Sequence, residues 1–102
     1  MGKRLGILAT SNAHLDKILR LCRAAKNKGD MDVMLFLTHT GTLLTQDSRF
    51  GELEGLAKIH LCKVGFESHG LTPPVPGVGE NGYATQALNG EMIEDCDRYV
   101  VF

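Results

Sequence analysis

Absences narrow the field before any motif is read. Aromatic residues are few (Phe 4, Tyr 2, Trp 0), and they are not interleaved with basic ones. The 11 basic and 12 acidic residues nearly cancel and are spread along the chain, so no electrostatic footprint for nucleic acid exists. No apolar run approaches the roughly 20 residues that span a bilayer, and no membrane partner is expected. The stretch Leu5–Ala9 behind Met1-Gly-Lys-Arg4 is too short for the core of a signal peptide. Gly6 stands where a myristoylation motif starting at Gly2 needs Ser or Thr. A cytoplasmic location is the expectation that follows.

Cysteine is scarce in a particular way. Cys22, Cys62 and Cys96 are odd in number, widely spaced and form no C-x-x-C, which excludes a disulfide framework and a zinc ribbon. The four histidines lack metal-site spacing such as H-x-x-x-H, so neither metal nor other cofactor is expected. All three prolines fall within Leu71–Gly82 and leave the rest of the chain free to form regular structure.

What is present describes one folded domain over 1–102, with 43% hydrophobic and 23% charged residues, ordinary values for a globular protein. Arg4–Thr10 is an apolar run bounded by charge, the pattern of a central strand. Thr10-Ser-Asn12 supplies a turn and a helix N-cap. From Ala13 to Lys28, Leu15, Ile18, Leu19, Cys22 and Ala25 recur at helical spacing, and Gly29 is the natural stop. Met31–Leu37 is a second strand, completing a βαβ unit. Thr42–Gln46 is a short helical turn or a loop, and Arg49–Ala57 a second short helix with Phe50, Leu53, Leu56 and Ala57 inward. Lys58–Cys62 alternates as a third strand, and Lys63–His69 makes one or two helical turns closed by Gly70. Leu71–Gly82 reads as a surface loop, Tyr83–Glu94 as a helix and Asp97–Phe102 as a last strand. The order β-α-β-α-β-α-β predicts an α/β fold, a three-layer α/β/α sandwich with a mainly parallel sheet.

In such a sheet the carboxyl ends of the strands gather at one edge, where α/β proteins expose functional groups. That edge would collect Thr10-Ser-Asn12, Thr38-His-Thr40, and Cys62 with Lys63. Cys62 stands where a strand hands over to a helix. Unpaired backbone N–H groups and the positive end of the peptide dipoles there favour a thiolate, the nucleophilic form. Lys63 and His39 are candidate helpers that would stabilise a thiolate or persulfide anion. The plain reading of each stands beside this: Cys62 as a small buried hydrophobe, His39 as a loop residue bonded to its own turn.

The other candidates read as structural. Cys22 lies on the buried helix stripe, and Cys96 has Glu94, Asp95 and Asp97 around it, which oppose ionisation. His60 shares a strand face with Cys62 and reads as a packed or edge histidine. His69 would contact the last carbonyls of its helix, and His14 would face solvent. Gly77-Val-Gly79-Glu-Asn-Gly82 matches G-x-G-x-x-G literally. It follows a proline loop instead of opening a helix early in a βαβ unit, so it reads as a loop and not a phosphate site. Pro73-Pro74-Val75-Pro76 stiffens that loop.

The segment Leu61-Cys-Lys-Val-Gly-Phe-Glu-Ser-His-Gly-Leu71 resembles the DsrE/DsrF family, in which a strand ends in Cys and a short helix follows. The opening strand with Ala9-Thr10, the amphipathic helix behind it and the closing Asp97-Arg-Tyr-Val-Val-Phe102 are similar to that family as well. The resemblance implies a DsrE/F-like fold and a sulfur-carrying cysteine, matched by position to Cys62. It further implies sulfur donor and acceptor proteins as partners, and a homo-oligomer, trimer or hexamer. The Pro/Gly-rich loop after Gly70 departs from the family pattern. Two functions therefore stand. One is a sulfur carrier or sulfurtransferase-like protein holding a persulfide on Cys62. The other is a non-catalytic oligomeric module that binds a small ligand or a partner protein at the strand-end rim. Val75, Val78 and Tyr83, expected to be exposed, are the candidate subunit interface.

Overall fold

The computed structural model describes residues 3–29, 31–75, 77–79 and 82–102. The Met1-Gly2 pair, Pro76, and Glu80-Asn81 of the glycine motif lie outside the described residues. Strand β1 (Lys3–Ala9) leads into helix α1 (Leu15–Lys28), then β2 (Met31–Leu37). Two 3-10 segments follow, His39–Gln46 and Phe50–Leu53, and then β3 (Lys58–Cys62) and α2 (Lys63–Ser68). The chain ends with β4 (Tyr83–Ala84), α3 (Ala87–Asp95) and β5 (Arg98–Val101). The five strands lie in the order β4-β3-β2-β1-β5, and every pairing is parallel.

The predicted strand and helix pattern explains most of this. Leu5, Ile7, Ala9, Val33, Leu35, Leu37, Ile59 and Leu61 share one sheet face and are buried beneath α1, the 3-10 segments and Phe66 of α2. The α1 stripe of Leu15, Ile18, Leu19, Cys22 and Ala25 is buried as its spacing predicts. Gly29 ends the helix in the left-handed region at φ 93°, which glycine adopts without a Cβ penalty. The opposite face carries Phe36 and Cys62 with half-buried Leu8, Met34 and Ala84, and α3 covers it with buried Met92 and half-buried Leu88.

Four expectations are corrected. The helix predicted over Tyr83–Glu94 begins only at Ala87, because Tyr83 and Ala84 pair with Leu61 and Cys62 as a fifth strand. The Arg49–Ala57 helix is a single 3-10 turn over Phe50–Leu53, whose Phe50 and Leu53 are buried as expected. The N-cap of α1 is His14, without a side-chain cap bond, so Thr10-Ser-Asn12 does not cap it. Finally, Val75 is buried, and Val78 and Tyr83 are partly buried against the core, where the Pro/Gly loop folds back onto β3. Close packing fixes this loop: a Cβ on Gly82 would meet Val78 Cγ1 at 2.5 Å and the Ile59 carbonyl oxygen at 2.9 Å. Among the described residues the exposed large apolar side chains are Val64, Ile93, Val100 and Val101 instead.

Candidate functional site

The carboxyl edge of the sheet is assembled by backbone bonds between neighbouring strand ends. Thr38 N–H donates to the Ala9 carbonyl at 2.9 Å, and Thr10 N–H to the Phe102 carbonyl at 2.8 Å. The side chains follow: Thr10 Oγ1 donates to the Phe102 carbonyl at 3.0 Å and Thr40 Oγ1 to the Thr10 carbonyl at 3.2 Å. The turn after β2 can sit this close to β1 only because Gly41 lacks a side chain. A Cβ there would lie 2.1 Å from the Ala9 carbonyl oxygen. Thr10, Thr38, His39, Thr40, Cys62 and Lys63 are thus on one rim.

Cys62 is both the last residue of β3 and the N-cap of α2, with extended φ −74° and ψ 114°. Its residue exposure is 7%, and its side chain lies on the α3 face with Phe36 and Met92. The following turn of α2 rests against the start of the first 3-10 segment. A Cβ at Gly65 would sit 3.6 Å from His39 N, 3.7 Å from Thr42 Cγ2 and 3.8 Å from Cys62 Cβ. His39 therefore stands beside the Cys62 corner with its side chain exposed and its backbone in the left-handed region at φ 51°, rare for a residue with a Cβ. Lys63, the first residue of α2, is also exposed.

The remaining candidates take the structural roles their surroundings allow. His69 Nδ1 lies 2.8 Å from the Gly65 carbonyl oxygen and 3.3 Å from Thr42 Oγ1, so it ties the end of α2 to the 3-10 segment. His60 is half-buried on the Cys62 face. His14 is half-buried with its ring 6.1 Å from that of Phe102, not fully solvent-facing. Cys22 is wholly buried, and that burial pushes its thiol up to about 11. The Cys96 thiol is also raised, first by desolvation, with Asp95 and Asp97 adding to the shift and Arg4 opposing it. Its acidic neighbours act as the sequence suggested but are not the main cause. Among the described residues no group of three or more His, Cys, Asp or Glu is arranged to hold a metal ion.

One rim residue was not foreseen. Gln86 follows β4 and caps α3, and its Nε2 donates to Thr38 Oγ1 at 2.5 Å. Its part in the rim was hidden because the sequence around it reads as the first turn of a helix starting at Tyr83. Once Tyr83–Ala84 forms a strand, the residues after it fall at the carboxyl edge like those of every other strand.

No protein-family model matches the chain, and no curated protein sequence does. Among solved structures, the crystal structure of the YchN protein from E. coli matches it with a TM-score of 0.78 and 18% identity, covering 100% of each chain. YchN has a DsrE/DsrF-like fold, and the five-stranded parallel sheet with its helices is that α/β fold. No helix among the described residues is long and apolar enough to cross a membrane.

Proposed function

We propose that this chain is a sulfur carrier, taking sulfane sulfur onto Cys62 as a persulfide and passing it to a partner protein. The supporting observation is the position of Cys62: it ends a central strand at the carboxyl edge of a DsrE-like sheet and opens the next helix. In the loading step the Cys62 thiolate attacks the outer sulfur of a donor persulfide. The donor's S–S bond breaks, Cys62 gains a new S–S bond, and the donor departs as a thiolate that takes up a proton. Two-electron bookkeeping is neutral, because one sulfur–sulfur bond replaces another. An acceptor thiolate then attacks the outer sulfur on Cys62 and regenerates the thiolate. Lys63 and His39, both exposed beside the Cys62 corner, are the groups that stabilise the anion.

The test is intact-mass analysis after incubation with a persulfide donor. The expected result is a gain of one sulfur atom, roughly 32 Da, that disappears in Cys62→Ser and persists in Cys22→Ser and Cys96→Ser. No gain in any variant would leave the second reading, an oligomeric module binding a small ligand or a partner at the same rim. The 7% exposure of Cys62 favours that alternative, since a packed thiol also serves as a small hydrophobe.

A further inference from the structure

The Thr38–Gln86 bond joins two strands that are not neighbours. β4 and β2 flank β3, so they stand two strand spacings apart, about 9.6 Å, with the end of β3 between them. Ala84 is registered against Cys62, and Thr38, with extended backbone, stands one residue beyond the Leu37–Leu61 pair, level with Cys62. Side chains alternate along a strand, which puts Thr38 on the face of Phe36 and Cys62 on the face of His60; these two are registered partners, so both faces are one. On that same face α3 runs, with Gln86 as its N-cap and Met92 packed in the Cys62 cluster. The Gln86 carboxamide therefore reaches Thr38 across the end of β3, on the sheet face to which Cys62 belongs. Thr38 is 3% exposed and Cys62 7%, while Gln86 itself is exposed on the outer side.

We propose that Gln86 and Thr38 form a clasp across Cys62 that sets access to its sulfur. Gln86 is then a positioning residue for sulfur transfer, and a partner opens the clasp by offering the carboxamide a hydrogen-bond acceptor in place of Thr38. The clasp rests on the reading of Cys62 as the working thiol, but it can be tested without any persulfide.

The experiment follows thiol modification of the full chain by N-ethylmaleimide, a bulky alkylating reagent, and by methyl methanethiosulfonate, a small one that leaves a methyl disulfide and releases methanesulfinate, with peptide mass readout at each cysteine. Gln86→Ala, Gln86→Met and Thr38→Val are each expected to speed maleimide reaction at Cys62 about three- to tenfold, the range one net hydrogen bond supports. The smaller reagent gains less. Gln86→Ala combined with Thr38→Val gains nothing beyond either alone, and the Cys96 rate stays at its wild-type value. Gln86→Met keeps the length of the side chain without its amide, so a wild-type Cys62 rate in that variant would overturn the clasp. Unchanged rates in both Gln86 variants, additive gains in the double variant, or an equal rise at Cys96 would do the same. Gln86 is exposed, so its variants give the answer even if Thr38→Val fails to fold. Faster alkylation with no persulfide on Cys62 would remove the carrier function and keep the clasp; persulfide loading with no change in any alkylation rate would do the reverse.

Discussion

Cys22 illustrates how far a single buried side chain reaches. It lies on α1 with no exposure, and its thiol rises from an ordinary 9.0 to about 11 because burial opposes the thiolate. The unfolded chain releases this proton near pH 9, whereas the folded chain holds it until about pH 11. Below pH 9 both states are protonated and stability is unaffected; above it the unfolded state gains by ionising. Stability therefore falls as pH rises across this window, by on the order of 2 kcal/mol at about 1.4 kcal/mol per unit. Chemical denaturation of wild-type and Cys22→Ala between pH 8 and 11 isolates the effect. The wild-type advantage at pH 8 should shrink by that amount, and a constant gap would mean that Cys22 titrates alike in both states. The burial of Cys22 was legible from helical spacing alone. The burial of Cys62 was not, because alternation along β3 says which face a residue takes but not what covers that face.

At the scale of elements, β4 is where sequence pattern and structure part. Tyr83-Ala84 continues smoothly into the composition of α3, and two residues are too few to show a period of two. Pairing with Leu61 and Cys62 decides the matter, a tertiary effect that local propensity cannot express. The long strands and α1 each carry enough residues to show a period, so their presence and order were legible; the 3-10 segments and the folded-back loop were not. The short strand also carries a cost. Tyr83 packs edge-on against Phe66 with ring centroids 5.5 Å apart, yet its buried hydroxyl has no hydrogen-bond partner among the described residues. Phenylalanine would keep the ring contact and remove the unsatisfied group. Tyr83→Phe is therefore expected to raise unfolding stability by about 1 kcal/mol, measured by denaturant titration. A loss of that size instead would show that the hydroxyl is hydrogen-bonded in solution.

Across the whole molecule the two sheet faces are unequally covered. One is buried beneath α1, the 3-10 segments and α2; the other has α3, whose sole buried residue is Met92. Apolar surface accordingly remains on the α3 side. Ile93 is 54% exposed on α3, and Val101, registered beside Leu8, is 57% exposed on the edge strand β5. A 102-residue chain has little surplus stability to leave such side chains in water, and a subunit contact would cover them. This moves the proposed homo-oligomer interface away from Val75, Val78 and Tyr83, which the folded-back loop already uses internally. The displacement has a plain cause: apolar residues in a Pro/Gly-rich stretch look exposed until the loop is seen to return to the sheet. Size-exclusion chromatography with light scattering should find wild-type protein as a trimer or hexamer. Ile93→Glu with Val101→Glu should release monomers, since each assembly contact would then bury an unpaired carboxylate. Val78→Glu serves as the contrast, expected to lower stability through its core contact and to leave the subunit count of the folded protein unchanged. A wild-type monomer would remove the assembly altogether. An oligomer broken by the loop variant but not by the α3-side pair would return the interface to the loop.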